Sequence, residues 1–345
     1  MAVIQPFTAE QARALVNLRQ RYEVWIAAER VLAALPYDLR RKHVNGYDYL
    51  YEIHDRGGNG TSLGRWDEDK QQRFETYREQ KAAAKAQRDG ARDALAESSR
   101  IARALRLPLL SADAGPILRE ADRRSLLGSH LLVVGTNAMA AYAVEAAGTL
   151  VGVPDETEDF DMAWAAEEAE PGTEVWDLLK AVDPTYTINS ERDFQARNAK
   201  AYEVELLVAP SRATTLSLKD KPRPVPLPEQ EWLLPGRLVD QVVPCRDGTP
   251  ARIVAPDPRW FALHKLWMGN QAKRNPLKRG KDLAQGRALL ARAGTRFATT
   301  VLALHDVQLA LSHATRIIGL RGGRVAIDAA PEDVGKAQID ALYRS

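Results

Sequence analysis

The 345-residue chain has a single cysteine, Cys245. That excludes an internal disulfide framework and any Cys-x-x-Cys metal cluster. The six histidines are scattered, and none repeats at the His-x-x-x-His spacing that sets two ring nitrogens on one helix face. No apolar run reaches membrane length, and the start shows no charged segment followed by an apolar stretch and a small-residue cleavage site. Membrane insertion is therefore not expected, and the expected location is cytoplasmic. A formal net charge of +2 gives no global electrostatic footprint for nucleic acid, so any such signal has to be local. Apolar content of 45% and charged content of 27% are ordinary for a globular protein, and the length suits two or three structural units.

Residues 8–35 have helical spacing, with Ala14, Leu15, Leu18, Val24, Trp25, Ala28 and Leu32 apolar. In residues 47–53, Tyr47, Tyr49, Tyr51 and Ile53 alternate with Asp48, Leu50 and Glu52, and Gly57-Gly58-Asn59-Gly60 supplies a turn, so a hairpin is expected. Its tyrosine face suits either stacking on bases or packing on a helix. From Asp67 to about Leu105 the chain is polar and rich in helix formers, with a thin apolar stripe; it predicts a protruding helix or helical hairpin, with Gly90 as a break. A helix over 113–127, a strand at 131–135, a helix at 136–147 and an acidic strand at 159–164 follow. Next come a helix at 173–181 and strands near 185–189, 193–197 and 202–208. Five prolines in 221–236 predict a linker or an extended crossing segment. Strands at 239–244 and 251–254 and helices at 259–269 and 281–292 complete the pattern.

Chemistry concentrates in Thr157-Glu158-Asp159-Phe160-Asp161-Met162. In a strand, Asp159 and Asp161 share one face, and Phe160, Met162 and Trp164 take the other. Two acids side by side repel, a cost most easily met when a divalent cation bridges them. The later strand puts Glu203 and Glu205 on one face and Val204, Leu206 and Val208 on the other. Glu205 beside Asp159 and Asp161 would complete a three-carboxylate site, with Glu203 the rival third acid. Such a set suits Mg²⁺ and phosphoryl or nucleotidyl transfer, which needs mainly positioning and charge neutralisation. Upstream, Gly135-Thr136 opens a helix whose free N–H groups can hold a phosphate. Residues 259–281 carry seven Lys/Arg and no acid, a local excess suited to a triphosphate or an RNA end.

These residues resemble the nucleotidyltransferases of the DNA polymerase β superfamily. The match consists of Gly135-Thr136-Asn137-Ala138, Tyr142, Glu145, Gly148, Thr157-x-Asp159-x-Asp161 and a later acid on a strand. With His264-Lys265-Leu266-Trp267 and Lys278-Arg279-Gly280-Lys281-Asp282, it is most similar to the minimal, abortive-infection-type branch, over about 120–292. The resemblance implies an α+β fold: a nucleotidyltransferase-type mixed sheet with helices, preceded by a helical region with a hairpin and followed by a helical/β tail. With the pattern of the flanking residues, four regions are expected: 1–112, a catalytic domain at 113–220, a Pro-rich and helical part at 221–295, and a tail at 296–345. It further implies that Asp159, Asp161 and Glu205 bind two Mg²⁺ ions, with Mn²⁺ the alternative. Gly135, Thr136 and Asn137 would contact the triphosphate, Lys265 and Lys281 would neutralise phosphates, and Asp282 would hold the basic residues. Asn198 is a further candidate for nucleotide contact. The family's third acid is usually Asp, and Glu205 has a longer arm. The substrate would be an NTP, and the acceptor hydroxyl an RNA 3′ end, a protein or a small molecule; some family members are toxin-like. A nucleotide- or RNA-binding protein that keeps the fold without the chemistry is the rival reading.

From about Thr299 the sequence resembles the end of an ABC transporter ATPase of the phosphonate-import type. The match lies in Thr300–Asp306, Arg316-Ile317-Ile318-Gly319-Leu320-Arg321-Gly322-Gly323-Arg324-Val325 and Pro331-Glu332-Asp333-Val334, with His305 at the family's switch position. The chain has no GxxxxGK[ST] loop and no LSGGQ-like signature. A lone histidine cannot hydrolyse ATP, so 296–345 is expected to be a fragment forming a small β-α-β piece, with His305 structural.

Overall fold

The computed structural model describes residues 3–154, 157, 159–167, 175–216, 221–296 and 307–343. They form an α+β fold with several separate sheets, divided into two compact units, residues 1–260 and 261–345. Among the described residues, no helix is long and apolar enough to cross a membrane.

The first unit opens with β1 (Val3–Pro6) and α1 (Ala9–Ala34). Thr8 and Gln11 form a capping box that satisfies two backbone donors at the start of α1. Leu15, Leu18, Tyr22 and Ile26, at helical spacing, are buried. β2 (Asp38–Val44), β3 (Tyr47–Ile53) and β4 (Gly60–Arg65) make an antiparallel sheet. The expected hairpin is β3–β4. β2 was not expected, because Asp38-Leu39-Arg40-Arg41-Lys42-His43 shows no apolar alternation. It pairs with β3 through Asn45-Gly46, whose φ values of 49° and 82° give the left-handed turn that matches strand twist.

Helix α2 runs unbroken from Glu68 to Ala104, N-capped by Asp67. Gly90 does not break it: glycine weakens a helix interior without interrupting its hydrogen bonds. α3 (Ala114–Arg123), β5 (Leu131–Val133), α4 (Met139–Glu145) and β6 (Gly148–Val151) follow; a 3₁₀ turn at Thr136–Ala138 replaces the start of the helix expected there. β7 (Asp159–Trp164), α5 (Val175–Val182), β8 (Thr187–Ile188), β9 (Gln195–Arg197), β10 (Glu203–Val208) and β11 (Val225–Pro226) come next. The central sheet has the order β5-β7-β10-β9-β8, with β11 also paired to β10. β7 and β10 are parallel, whereas β5 and β9 run antiparallel to their neighbours. The Pro-rich stretch thus contributes an edge strand, where proline costs no ladder bond. β12 (Val239–Val243) and β13 (Ala251–Ala255) form a separate antiparallel pair.

The N-terminal helices share this unit's core. Leu15, Leu18, Tyr22 and Ile26 of α1 cluster with Leu95 and Ala102 of α2 and Val242 of β12. β1 pairs with β6. The fully buried Asp122 of α3 accepts the Tyr22 hydroxyl at 2.8 Å, Arg30 Nη2 at 2.8 Å and Arg252 Nη1 at 2.9 Å. Arg252 also forks onto Asp240, with both bonds at 2.8–2.9 Å. One carboxylate therefore ties α1, α3 and β13 together. Burial, followed by the neighbouring Asp122 charge, holds the Tyr22 phenol well above its ordinary pKa.

α6 (Pro258–Asn270) leads into the second unit, which continues with α7 (Pro276–Arg296), α8 (Val307–His313), β14 (Ile317–Arg321), β15 (Arg324–Ala329) and α9 (Lys336–Tyr343). α7 begins five residues earlier than expected, with Pro276 at its first position and Asn275 accepting the Leu277 N–H at 2.9 Å. Of the expected β-α-β piece, the described residues contain α8 and β14, and its first strand would fall at 299–306, outside them. Gly322 and Gly323, at φ 55° and 76°, fold β14 directly back onto β15 as a hairpin between two helices. His305 lies outside the described residues.

Gly90 is exposed, and a Cβ added there meets no atom within 4 Å. Gly90→Ala should therefore stabilise the protein by about 1 kcal/mol, read as a raised urea midpoint at unchanged slope. Asp122→Ala should cost about 2–3 kcal/mol in the same measurement, because it takes a fully buried carboxylate from between Arg30 and Arg252 and leaves the buried Tyr22 hydroxyl without its acceptor.

Candidate active site

The pairing of β7 with β10 assembles the site. Register sets Glu203 opposite Asp159 and Glu205 opposite Asp161, and partners across a parallel ladder point to the same face. All four acids are half-buried, whereas Phe160, Met162, Val204, Leu206 and Val208 are buried on the other face. The expected juxtaposition of Asp159, Asp161 and Glu205 on one side of the sheet is what the strands produce.

Gly135 follows β5 and stands directly against Asp161. Its φ of 69° and ψ of −157° belong to a region open essentially to glycine alone. A Cβ added there would collide with the Asp161 carboxylate. The ladder continues through the Val134 N–H, which donates to the Asp161 carbonyl at 3.1 Å. Thr136 and Asn137 are buried in the 3₁₀ turn that follows, and Asn137 Nδ2 donates to the Asp159 carbonyl at 3.0 Å. The Thr157 hydroxyl donates to the Asp159 carboxylate. One glycine bend is thus locked to both acids of β7.

Two residues on β9 complete the face and were not expected from the sequence. Gln195, 1% exposed, donates from Nε2 to Glu203 Oε2 at 2.8 Å and to Glu205 Oε1 at 3.0 Å. Its own Oε1 accepts Asn189 Nδ2 at 2.6 Å. Arg197 pairs with Glu203. Both contacts follow the β9–β10 register, Gln195 opposite Glu205 and Arg197 opposite Glu203. The available sequence signal was the alternation Gln195-Ala196-Arg197 next to a predicted acidic strand. Asn198 serves the turn instead: its Oδ1 accepts the Lys200 and Tyr202 N–H groups at 3.0 Å, and its Nδ2 donates to Asp183 at 3.2 Å.

All-oxygen donors of this kind suit a hard divalent ion. Among the described residues, however, no group of three or more acid, histidine or cysteine side chains is arranged to hold a metal ion. Glu205 is turned to Gln195 and Asp159 accepts from Thr157, so the three expected ligands share a face without closing a cage.

Lys265, Lys281 and Asp282 lie in the second unit. Asp282, with no exposed surface, accepts Lys265 Nζ at 2.9 Å and Arg274 Nε at 2.8 Å. Burial raises the Asp282 pKa, but Lys265 and Arg274 outweigh it and keep the carboxyl below its ordinary value. Lys265 is itself buried and tied to Asp282, and Lys281 is half-buried. His264 is buried with neither ring nitrogen hydrogen-bonded, and burial, aided by Lys265, pushes its pKa down to about 3.

The profile of a family described as Nucleotidyltransferase matches residues 112–309, more than half of the chain. Other similarities are short. The chain is 51% identical over 57 residues to a phosphonates import ATP-binding protein, PhnC 2, of Pseudomonas aeruginosa, covering 16% of this chain and 21% of that protein. It is 53% identical over 45 residues to PhnC of Pseudomonas entomophila, covering 13% and 17%. Over 51 residues it is 47% identical to PhnC 2 of Albidiferax ferrireducens, covering 15% and 18%. The chain thus spans about a fifth of the curated relatives it matches. No solved structure matches.

The tightness of the glycine bend gives a test. Gly135→Ala combines a forbidden conformation with a clash and should cost about 2–4 kcal/mol in urea unfolding. Gly152→Ala, at φ 74° with no atom within 4 Å of the added Cβ, should cost about 1–2 kcal/mol from strain alone.

Proposed function

The chain belongs to the nucleotidyltransferase family, and from that premise we propose that it transfers a nucleoside monophosphate from an NTP to a hydroxyl acceptor in a metal-dependent reaction. One observation carries the reading. The β7–β10 register lines Asp159 and Asp161 up with Glu203 and Glu205, and Gly135 is pressed against Asp161. The sheet on which this happens is read as a nucleotidyltransferase-type sheet.

Asp159, Asp161 and Glu205 would hold Mg²⁺, with Mn²⁺ as a substitute. The bound ions would offset charge on the triphosphate and lower the pKa of the acceptor hydroxyl. The chain's own groups do the positioning. The turn at Gly135–Asn137 offers backbone N–H groups to the phosphates, and glycine lets them come close. Gln195 holds Glu205 through Oε1; in the transfer the acceptor oxygen bonds to the α-phosphorus, its proton passes to solvent, and the α–β bond breaks to release pyrophosphate. Thr157 and Asn137 hold Asp159 and its backbone in place. The acceptor is a hydroxyl of an RNA 3′ end, a protein or a small molecule.

A second reading rests on the open ligand set: a protein that binds nucleotides on the same face without transferring them. Labelled-NTP incorporation into total RNA or total protein separates the two. Incorporation that requires Mg²⁺ and falls about a hundredfold or more in Asp161→Asn supports transfer. NTP binding without incorporation supports the second reading. Purified protein should not hydrolyse ATP in the manner of a transporter ATPase, because the chain has no phosphate loop.

A further inference from the structure

The sheet β2-β3-β4 has two unlike faces. On one, Leu39 and Leu50 are buried and cluster with Tyr77 of α2. The other displays Tyr47, Tyr49 and Tyr51 on the central strand. Register places Lys42 opposite Tyr49 and Arg40 opposite Tyr51 on β2, and Arg65 opposite Tyr49 on β4. Partners across an antiparallel ladder share a face, so three cations flank three aromatic rings. Asp38 is the one acid of those strands on this face, beside the buried Ile53 at its end. The rings are accessible: Tyr47 is 48% exposed, and Tyr49 and Tyr51 are half-buried. Two of the cations lie on them, with the Arg65 guanidinium 3.6 Å from the Tyr47 ring centre and Lys42 Nζ 4.8 Å from that of Tyr51, whereas Arg40 Nε donates to Asp38 Oδ2 at 2.8 Å.

We propose that this face binds an unpaired RNA strand, the tyrosines and the Arg65 plane stacking on bases while Lys42 and Arg65 meet phosphates. The fit is one of shape and charge. Alternate residues on a strand lie about 7 Å apart, so three rings form a row along which successive bases can lie. Sheets whose aromatics stack two or three bases are a recurrent solution to single-strand recognition. Lone arginines over tyrosines are common, but a row of rings bordered by three cations on an open face matches a polyanion that carries flat groups. Paired bases offer no free faces, so duplex RNA should bind more weakly. The inference does not rest on the transfer chemistry.

The test is fluorescence anisotropy of a labelled, mixed-sequence single-stranded RNA of about twelve nucleotides with the full chain, in EDTA and without NTP. Binding should weaken about tenfold in Tyr47→Ala. Lys42→Ala with Arg65→Ala should reduce the log–log salt slope by about 1.4. Arg73→Ala, which removes the same charge from α2, should leave affinity within about twofold. Each variant is checked for unchanged helicity and unfolding midpoint; where Tyr47→Ala alters them, Tyr47→Phe, which should bind like the wild type, and Arg65→Glu, which should abolish binding, replace it. The proposal is overturned by absence of RNA binding in the wild type, by equal binding of duplex, or by Arg73→Ala weakening binding as much as Arg65→Ala.

Discussion

Everything at the candidate site depends on the pairing of two parallel strands in one register. Shifting β10 by one residue against β7 would place Val204 opposite Asp161 and turn the glutamates from the acids they accompany. Apolar burial fixes that register. Phe160 and Met162 are each paired with a buried residue, Val204 and Leu206, and exposing this set would cost far more than any polar contact on the other face returns. The hydrophobic side of the sheet thus sets the geometry of the acidic side.

That acidic side is unfavourable when considered alone. Like charges directly opposite each other across strands destabilise a sheet, and here two such pairs lie side by side. The neighbouring strand reduces the cost: Arg197 neutralises Glu203, and Gln195 spans both glutamates. Thr157 supports Asp159. Local rules that a sequence breaks at one place usually mark function, and four carboxylates gathered on one face beside a glycine bend break two of them.

What was legible in the sequence followed from period and propensity. The alternation of Asp159–Trp164 and of Glu203–Val208 gave both strands and both faces, and the apolar spacing gave α1. Pairing across long separations was not legible. Nothing in Gln195-Ala196-Arg197 announces that β9 returns antiparallel to β10, so the polar contacts of Gln195 and Arg197 were missed. β2 was hidden by its basic composition, although Asn45-Gly46 is a strong hairpin signal. Gly90 was over-read: a 37-residue helix absorbs one glycine, since its many other hydrogen bonds remain. Helix α2 was read as protruding because its polar surface dominates the composition from Asp67 to Leu105. The tie of α1 to α3 and β13 centres on one residue, Asp122, which no periodicity reveals.

The same logic separates the two resemblances in the chain. The candidate site of the first kind is built from strands and a turn that the sequence holds within one compact unit, so its parts can be checked against one another: Gly135 against Asp161, and Glu205 against Asp161. The transporter-type similarity supplies about a fifth of its relatives' length. ATP hydrolysis needs a phosphate cradle and charge stabilisation assembled around the same phosphate. A β-hairpin between short helices cannot assemble them, however closely its residues match. Similarity without the complementary parts is similarity of a segment, whereas the acids and glycine of the central sheet are parts that meet.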